Sequence, residues 1–123
     1  MKVQTGTGNG RYPDALIDCG PYVPDAVQAQ QPVAVFEVLS RSTAWIDQGK
    51  KLRDYDATPG IEYYALVSQD EPRVMVYARN DLGRLDIRDA ILLEDVGAIL
   101  TLPKVNLSVP LSAIYGEAGS EGA

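Results

Sequence analysis

Apolar positions along this chain fall into short runs separated by proline, glycine and polar clusters. Ala15 to Cys19 is the first run that reads as a strand, and Gly20-Pro21 stops it. Asp25 to Gln31 is polar and small, like a surface loop. Pro32 opens the next strand, Val33-Ala34-Val35-Phe36-Glu37-Val38-Leu39, which is apolar on both faces and therefore expected near the centre of a sheet. Ser40-Arg41-Ser42-Thr43 supplies cap residues for a helix from Thr43 to Ala57, ended by Pro59-Gly60. Ile61 to Val67 is a further strand with apolar residues on both faces. Arg73 to Arg79 and Arg84 to Arg88 flank Asn80-Asp81-Leu82-Gly83, a pattern that predicts a hairpin. Ile99 to Leu102 and Val105 to Val109 read as extended, and Pro110 to Tyr115 as a short helix with proline at its start. The sum is an α/β fold, a central mixed sheet with one main helix, in one domain over residues 1–115. The tail from Gly116 to Ala123 reads as disordered.

The glycine-rich start, Gly6-Thr7-Gly8-Asn9-Gly10, suggests a phosphate cradle only if a helix follows it. Arg11-Tyr12-Pro13-Asp14 and a strand follow instead, so a flexible turn is expected.

Composition narrows the chemistry. The chain has 123 residues, 46% of them hydrophobic, which suits one domain with a real core. No apolar run approaches the ~18 residues that span a bilayer, and no basic start leads into an apolar stretch, so the cytoplasm is the expected location. Histidine is absent, which excludes a Ser-His-Asp triad, an HExxH zinc site and histidine-based nuclease chemistry. Cys19 stands alone, which excludes an internal disulfide and a cysteine-rich zinc site; it reads as small core filler. The net charge of −6 advertises no basic face for phosphates, but clustered carboxylates are what hold Mg²⁺.

Glu37 is the residue most at odds with its surroundings. A carboxylate among Val35, Phe36, Val38 and Leu39 should be paired, protonated or metal-bound, or else reach water at the strand end. Asp14 opens the preceding strand, so two carboxylates from neighbouring strands can converge on one divalent ion. Asp25 carries the same Pro-Asp dipeptide but has no strand to position it. On the helix, at about 100° per residue, Trp45, Leu52 and Tyr55 share one side. Lys51 lies at the margin of that face, while Lys50 points towards solvent. Asp47 precedes Lys51 by one turn and is placed to orient it; an ordinary surface pair is the bland alternative.

Pro13-Asp14, then Phe36-Glu37-Val38-Leu39-Ser40-Arg41-Ser42-Thr43, then Asp47-Gln48-Gly49-Lys50-Lys51-Leu52 with Tyr55, resemble the Uma-type endonucleases of the PD-(D/E)xK, restriction-endonuclease-like superfamily. Gly60-Ile61-Glu62-Tyr63-Tyr64 and the close at Leu111 to Tyr115 extend the resemblance over most of the chain. It implies a Mg²⁺- (or Mn²⁺-) dependent endonuclease acting on DNA. Asp14 and Glu37 would be metal ligands, the Val38 carbonyl an extra ligand, and Lys51 the activator of water. The superfamily's usual lysine stands two residues after the Glu, where this chain has Leu39, so Lys51 must serve from the helix. The family also carries a longer segment, including a helix, before Pro-Asp. With only one helix to cover a sheet that is apolar on both faces, an exposed apolar face and a homodimer are expected. The alternative is an inactive remnant or a protein-binding module that keeps the fold.

Overall fold

The computed structural model describes residues 1–21, 23–40 and 48–116. Two short strands come first, β1 (Val3–Gln4) and β2 (Gly10–Arg11), paired antiparallel. The central sheet holds β3 (Ala15–Asp18), β4 (Pro32–Leu39), β5 (Tyr63–Ser68), β6 (Val74–Ala78) and β7 (Ile91–Leu93) in that spatial order. β4 and β5 run parallel and every other neighbour is antiparallel, so the sheet is mixed. Parallel strands need a long crossover, and helix α1 (Gln48–Asp56) lies in this one. A hairpin of β8 (Ile99–Leu102) and β9 (Leu107–Pro110) follows, then the short helix α2 (Leu111–Tyr115).

The period-2 alternation of strands sorts the apolar side chains into two cores. On one face Val35 and Leu39 of β4, Tyr64 and Leu66 of β5 and Tyr77 of β6 pack with Tyr55 of α1, Val3 and Ile61. Tyr55, Tyr64 and Tyr77 form a row of rings, with centroids 4.9 and 5.7 Å apart. On the other face Ala34, Tyr63, Ala65, Val74 and Val76 pack with Leu100, Leu102 and Leu111.

That second core corrects an expectation. The opposite face is not left bare for want of a helix: β8, β9 and α2 cover it, burying Leu102 and Leu111 fully. The packing reason for a homodimer is thereby removed. The hairpin is also not where the turn suggested. The turn at Asn80 forms, with Gly83 donating to the Asn80 carbonyl and Asn80 Oδ1 accepting from Leu82 and Arg84. The partner of β6 is nevertheless β7, in register Val74 to Leu93, and not residues 84–88, which run into a 3₁₀ turn (Ile87–Asp89). Asp56 explains the diversion: it accepts from Arg84 Nε and from the Leu85 amide, which pulls this segment onto the end of α1 and buries Leu85.

The glycine-rich start is not a loose turn either. It joins β1 to β2 and sits on α1: Gly6 donates to Thr58 Oγ1, and a Cβ at Gly6 would lie 1.8 Å from the Ala57 carbonyl oxygen. Cys19 is exposed and not core filler, because the register shifts between Ile17 and Asp18 and the chain leaves the strand there. The expected helix start at Thr43, its neighbours Trp45 and Asp47, and the tail beyond Gly116 lie outside the described residues.

Candidate active site

β4 delivers Glu37 to the α1 side of the sheet, in the same alternation as Val35 and Leu39. The carboxylate is buried, with 7% of the residue exposed. Leaving it unpaired there would carry a heavy desolvation cost. Lys51 of α1 removes that cost: its Nζ donates to Glu37 Oε1 at 2.6 Å. Helical phase makes the contact possible, since Lys51, Asp54 and Tyr55 lie within one turn of each other on the face turned to the sheet.

Asp14 stands immediately before β3. The Ala15–Phe36 register, continued one step, sets it opposite Glu37. Its Oδ2 accepts from the Val38 amide at 2.7 Å, so the carboxylate caps the end of the β4 ladder where β3 has not yet begun. The structure thus brings Asp14, Glu37, Val38 and Lys51 to one corner of the sheet. Lys50 stands beside them, exposed.

Two tyrosines floor this corner. Burial, and after it the negative charge of Glu37, pushes the phenols of Tyr55 and Tyr64 well up from their ordinary range. Both stay neutral at any physiological pH. The Tyr55 hydroxyl is buried, and no partner meets full hydrogen-bonding geometry with it among the described residues.

Asp54 of α1 is a further charged residue beside this corner. It is 4% exposed and collects Thr7 Oγ1 at 2.6 Å, Arg11 Nε at 2.6 Å and Asn9 Nδ2 at 3.2 Å. Burial opposes its charge, but the bonds from Thr7, Arg11 and Asn9 and the charge of Arg11 outweigh that and hold the carboxyl below its usual range. A signal for it existed: Asp54 follows Lys51 by three residues and so shares its helical face. Its partners, from a glycine-rich turn more than forty residues away, had none.

Could the corner hold a hard divalent cation? Among the described residues no group of three or more His, Cys, Asp or Glu side chains gathers to make a protein cage. Two carboxylates and a carbonyl are a set that suits Mg²⁺, which keeps several waters and is often held by one or two carboxylates. The ammonium now against Glu37 marks the position as one that demands positive charge. The residues fit, provided Lys51 leaves Glu37.

Over residues 1–110 the chain matches the Uma2 family, described as "Putative restriction endonuclease". The chain belongs to the Uma2 family. A relative in that comparison of sequences is the "Uncharacterized protein slr1290" of Synechocystis, 33% identical over 118 residues, or 94% of this chain and 60% of the relative. Among solved structures, "a putative nuclease belonging to DUF820" from Anabaena variabilis superposes with a TM-score of 0.69 at 17% identity, covering 93% of this chain and 64% of that one. That likeness establishes the fold: a nuclease-like α/β arrangement, a mixed sheet with one main helix. This Uma2 chain therefore spans less than two-thirds of the length of either protein.

Proposed function

We propose that this chain is a Mg²⁺- or Mn²⁺-dependent endonuclease that hydrolyses DNA phosphodiester bonds, as a protein of the cytoplasm. The observation that carries the reading is the buried Glu37–Lys51 pair at 2.6 Å with Asp14 on the adjacent strand. Asp14, Glu37 and the Val38 carbonyl are assigned to the metal, which when bound supplies Lewis-acid polarisation of the phosphate and a lowered pKa for water. Lys51 moves from Glu37 to the attacking water and the phosphate oxygen that gains charge. A bond forms from the water oxygen to phosphorus as that water gives up a proton to solvent, and the bond from phosphorus to the sugar oxygen breaks as the leaving oxygen takes a proton from solvent water. Tyr55 and Tyr64 keep bulk water from the buried side of Glu37.

The test is cleavage of plasmid DNA by the purified chain with Mg²⁺ or Mn²⁺, against a chelator and against Asp14→Asn and Lys51→Met. Metal-dependent cleavage lost in both variants supports the assignment. Cleavage retained in both variants moves the site elsewhere. Absence of cleavage in a well-folded wild-type chain favours the remnant or binding-module reading.

A further inference from the structure

An acidic chain has gathered positive groups beside this corner. Asn9, Gly10, Arg11, Lys50 and Lys51 line an open cleft of about 500 Å³. The Lys2 side chain lies across Gly10, so close that a Cβ there would come within 2.5 Å of Lys2 Cε. Four of the 11 Lys and Arg residues thus meet at one place in a chain of net charge −6.

The four are not equivalent. Lys51 is engaged by Glu37. Arg11 gives its Nε to Asp54 at 2.6 Å, and its two terminal nitrogens make no hydrogen bond among the described residues. Lys50 is exposed and pairs with no carboxylate among them. Arg11 is also held in place. Asp54 binds it together with Thr7 and Asn9, and Gly6 lets this turn press against Ala57. A guanidinium fixed through Nε presents its remaining N–H groups as a fork, the geometry that matches two oxygens of a phosphate.

We propose that this cleft is a backbone subsite. It takes a phosphodiester of the same nucleic-acid strand, next to the phosphate at Asp14, Glu37 and Lys51. Arg11 is its fixed fork and Lys50 its point charge. Asp54 is a positioning residue that acts through Arg11. The inference rests on the proposed nuclease reading for its ligand, but it is a statement about binding and not about cleavage. It also accounts for how a chain of this charge engages a polyanion: the contact is local, at one cluster, and the rest of the surface contributes repulsion.

The experiment is fluorescence anisotropy with a labelled DNA oligonucleotide, metal-free, across a salt series, on wild type, Lys50→Gln and Arg11→Lys. Losing one phosphate contact should weaken binding about three- to tenfold at low salt and reduce the slope of log K against log salt by about 1. Lys50→Gln should do this with an unchanged melting temperature, which guards against Arg11→Lys disturbing Asp54 and the fold. Excess inorganic phosphate should compete only weakly; complete displacement at low millimolar phosphate would mean a small-anion site and overturn the backbone assignment. Equal affinity and equal salt slope in Lys50→Gln and wild type would overturn it as well. The two readings separate cleanly. Metal-dependent cleavage with a KM indifferent to Lys50→Gln sinks the subsite and leaves the nuclease. Lys50-dependent binding without cleavage sinks the nuclease and leaves the subsite.

Discussion

A carboxylate buried in a strand needs positive charge, and at Glu37 the proposed ion would compete with Lys51 to supply it. Lys51 is the one in place, at 2.6 Å and with 28% of its side chain exposed. The lysine therefore has a structural duty beside the proposed chemical one. Lys51→Met should destabilise the metal-free fold by about 2 kcal/mol, less than the removal of a partner from a fully buried pair because water reaches this one. If Asp14 and Glu37 bind Mg²⁺, the ion should restore much of that loss and shift the melting temperature of Lys51→Met more than that of wild type. Calorimetric melts with and without Mg²⁺ read both effects; a metal-free variant as stable as wild type would mean that Glu37 is satisfied by something else. Asp54 offers a second test at this scale. Its folded pKa lies below the ordinary 3.8, so the stability it contributes is present above about pH 4 and is lost as pH falls through 3.8 and then through the lower folded value. Asp54→Asn should be less stable than wild type at pH 7 and show a shallower decline of stability below pH 4. Parallel acid-unfolding curves would remove Asp54 from the account.

At the scale of elements, the end of α1 is tied to the sheet by one side chain. Arg79, just beyond β6, has only 10% of its side chain exposed and donates to the carbonyls of Tyr55, Asp56, Thr58, Ile61 and Gly83, and to Asp56 Oδ1. Three of those carbonyls belong to the last residues of α1 and the turn after it. A cation there satisfies groups that the helix leaves unpaired and meets the negative end of its dipole. The same tie fixes where Lys51 and Asp54 stand, since both ride on α1. Arg79→Met should cost about 3 kcal/mol, because it strands several carbonyls and leaves Asp56 with Arg84 as its one remaining cation among the described residues. Arg79→Lys should recover only a minor part, since an ammonium cannot reproduce the fork. Urea unfolding at neutral pH checks this; a loss under about 1 kcal/mol in Arg79→Met would show that water replaces the arginine at the helix end.

Across the whole molecule, the sheet is closed on both faces by the chain itself, with α1 and the β1–β2 turn on one side and β8, β9 and α2 on the other. No helix among the described residues is long and apolar enough to cross a membrane. The site corner lies where β3, β4 and α1 meet, so an ion bound there joins separate parts of the fold and stabilises the whole by mass action. At ten times its Kd, Mg²⁺ should add about 1.4 kcal/mol, a rise in melting temperature of roughly 4–6 °C for a chain this size. The shift should vanish in Asp14→Asn. An equal shift in that variant would mean that the ion sits elsewhere.

What the sequence determined by itself was local. Continuous apolar runs marked β4 and most of β5, proline and glycine marked their limits, and a carboxylate inside an apolar strand singled out Glu37. Helical phase separated Lys51 from Lys50, and the structure places Lys51 against Glu37. These follow from sequence because strand and helix periods are properties of neighbouring residues. Only the tertiary structure decided which strand completes β6, what covers the second face, and that a glycine-rich turn would carry Arg11 onto Asp54. Periodicity says that a face is buried but not by what. β7 wins over residues 84–88 because Asp56, on a helix distant in sequence, holds the Leu85 amide and the Arg84 side chain. The second face is closed by a hairpin and one short helix, whose own patterns are too brief to announce a layer. Arg11 and Asp54 are forty-three residues apart, and nothing in either neighbourhood encodes a contact that exists only once α1 has docked on the sheet.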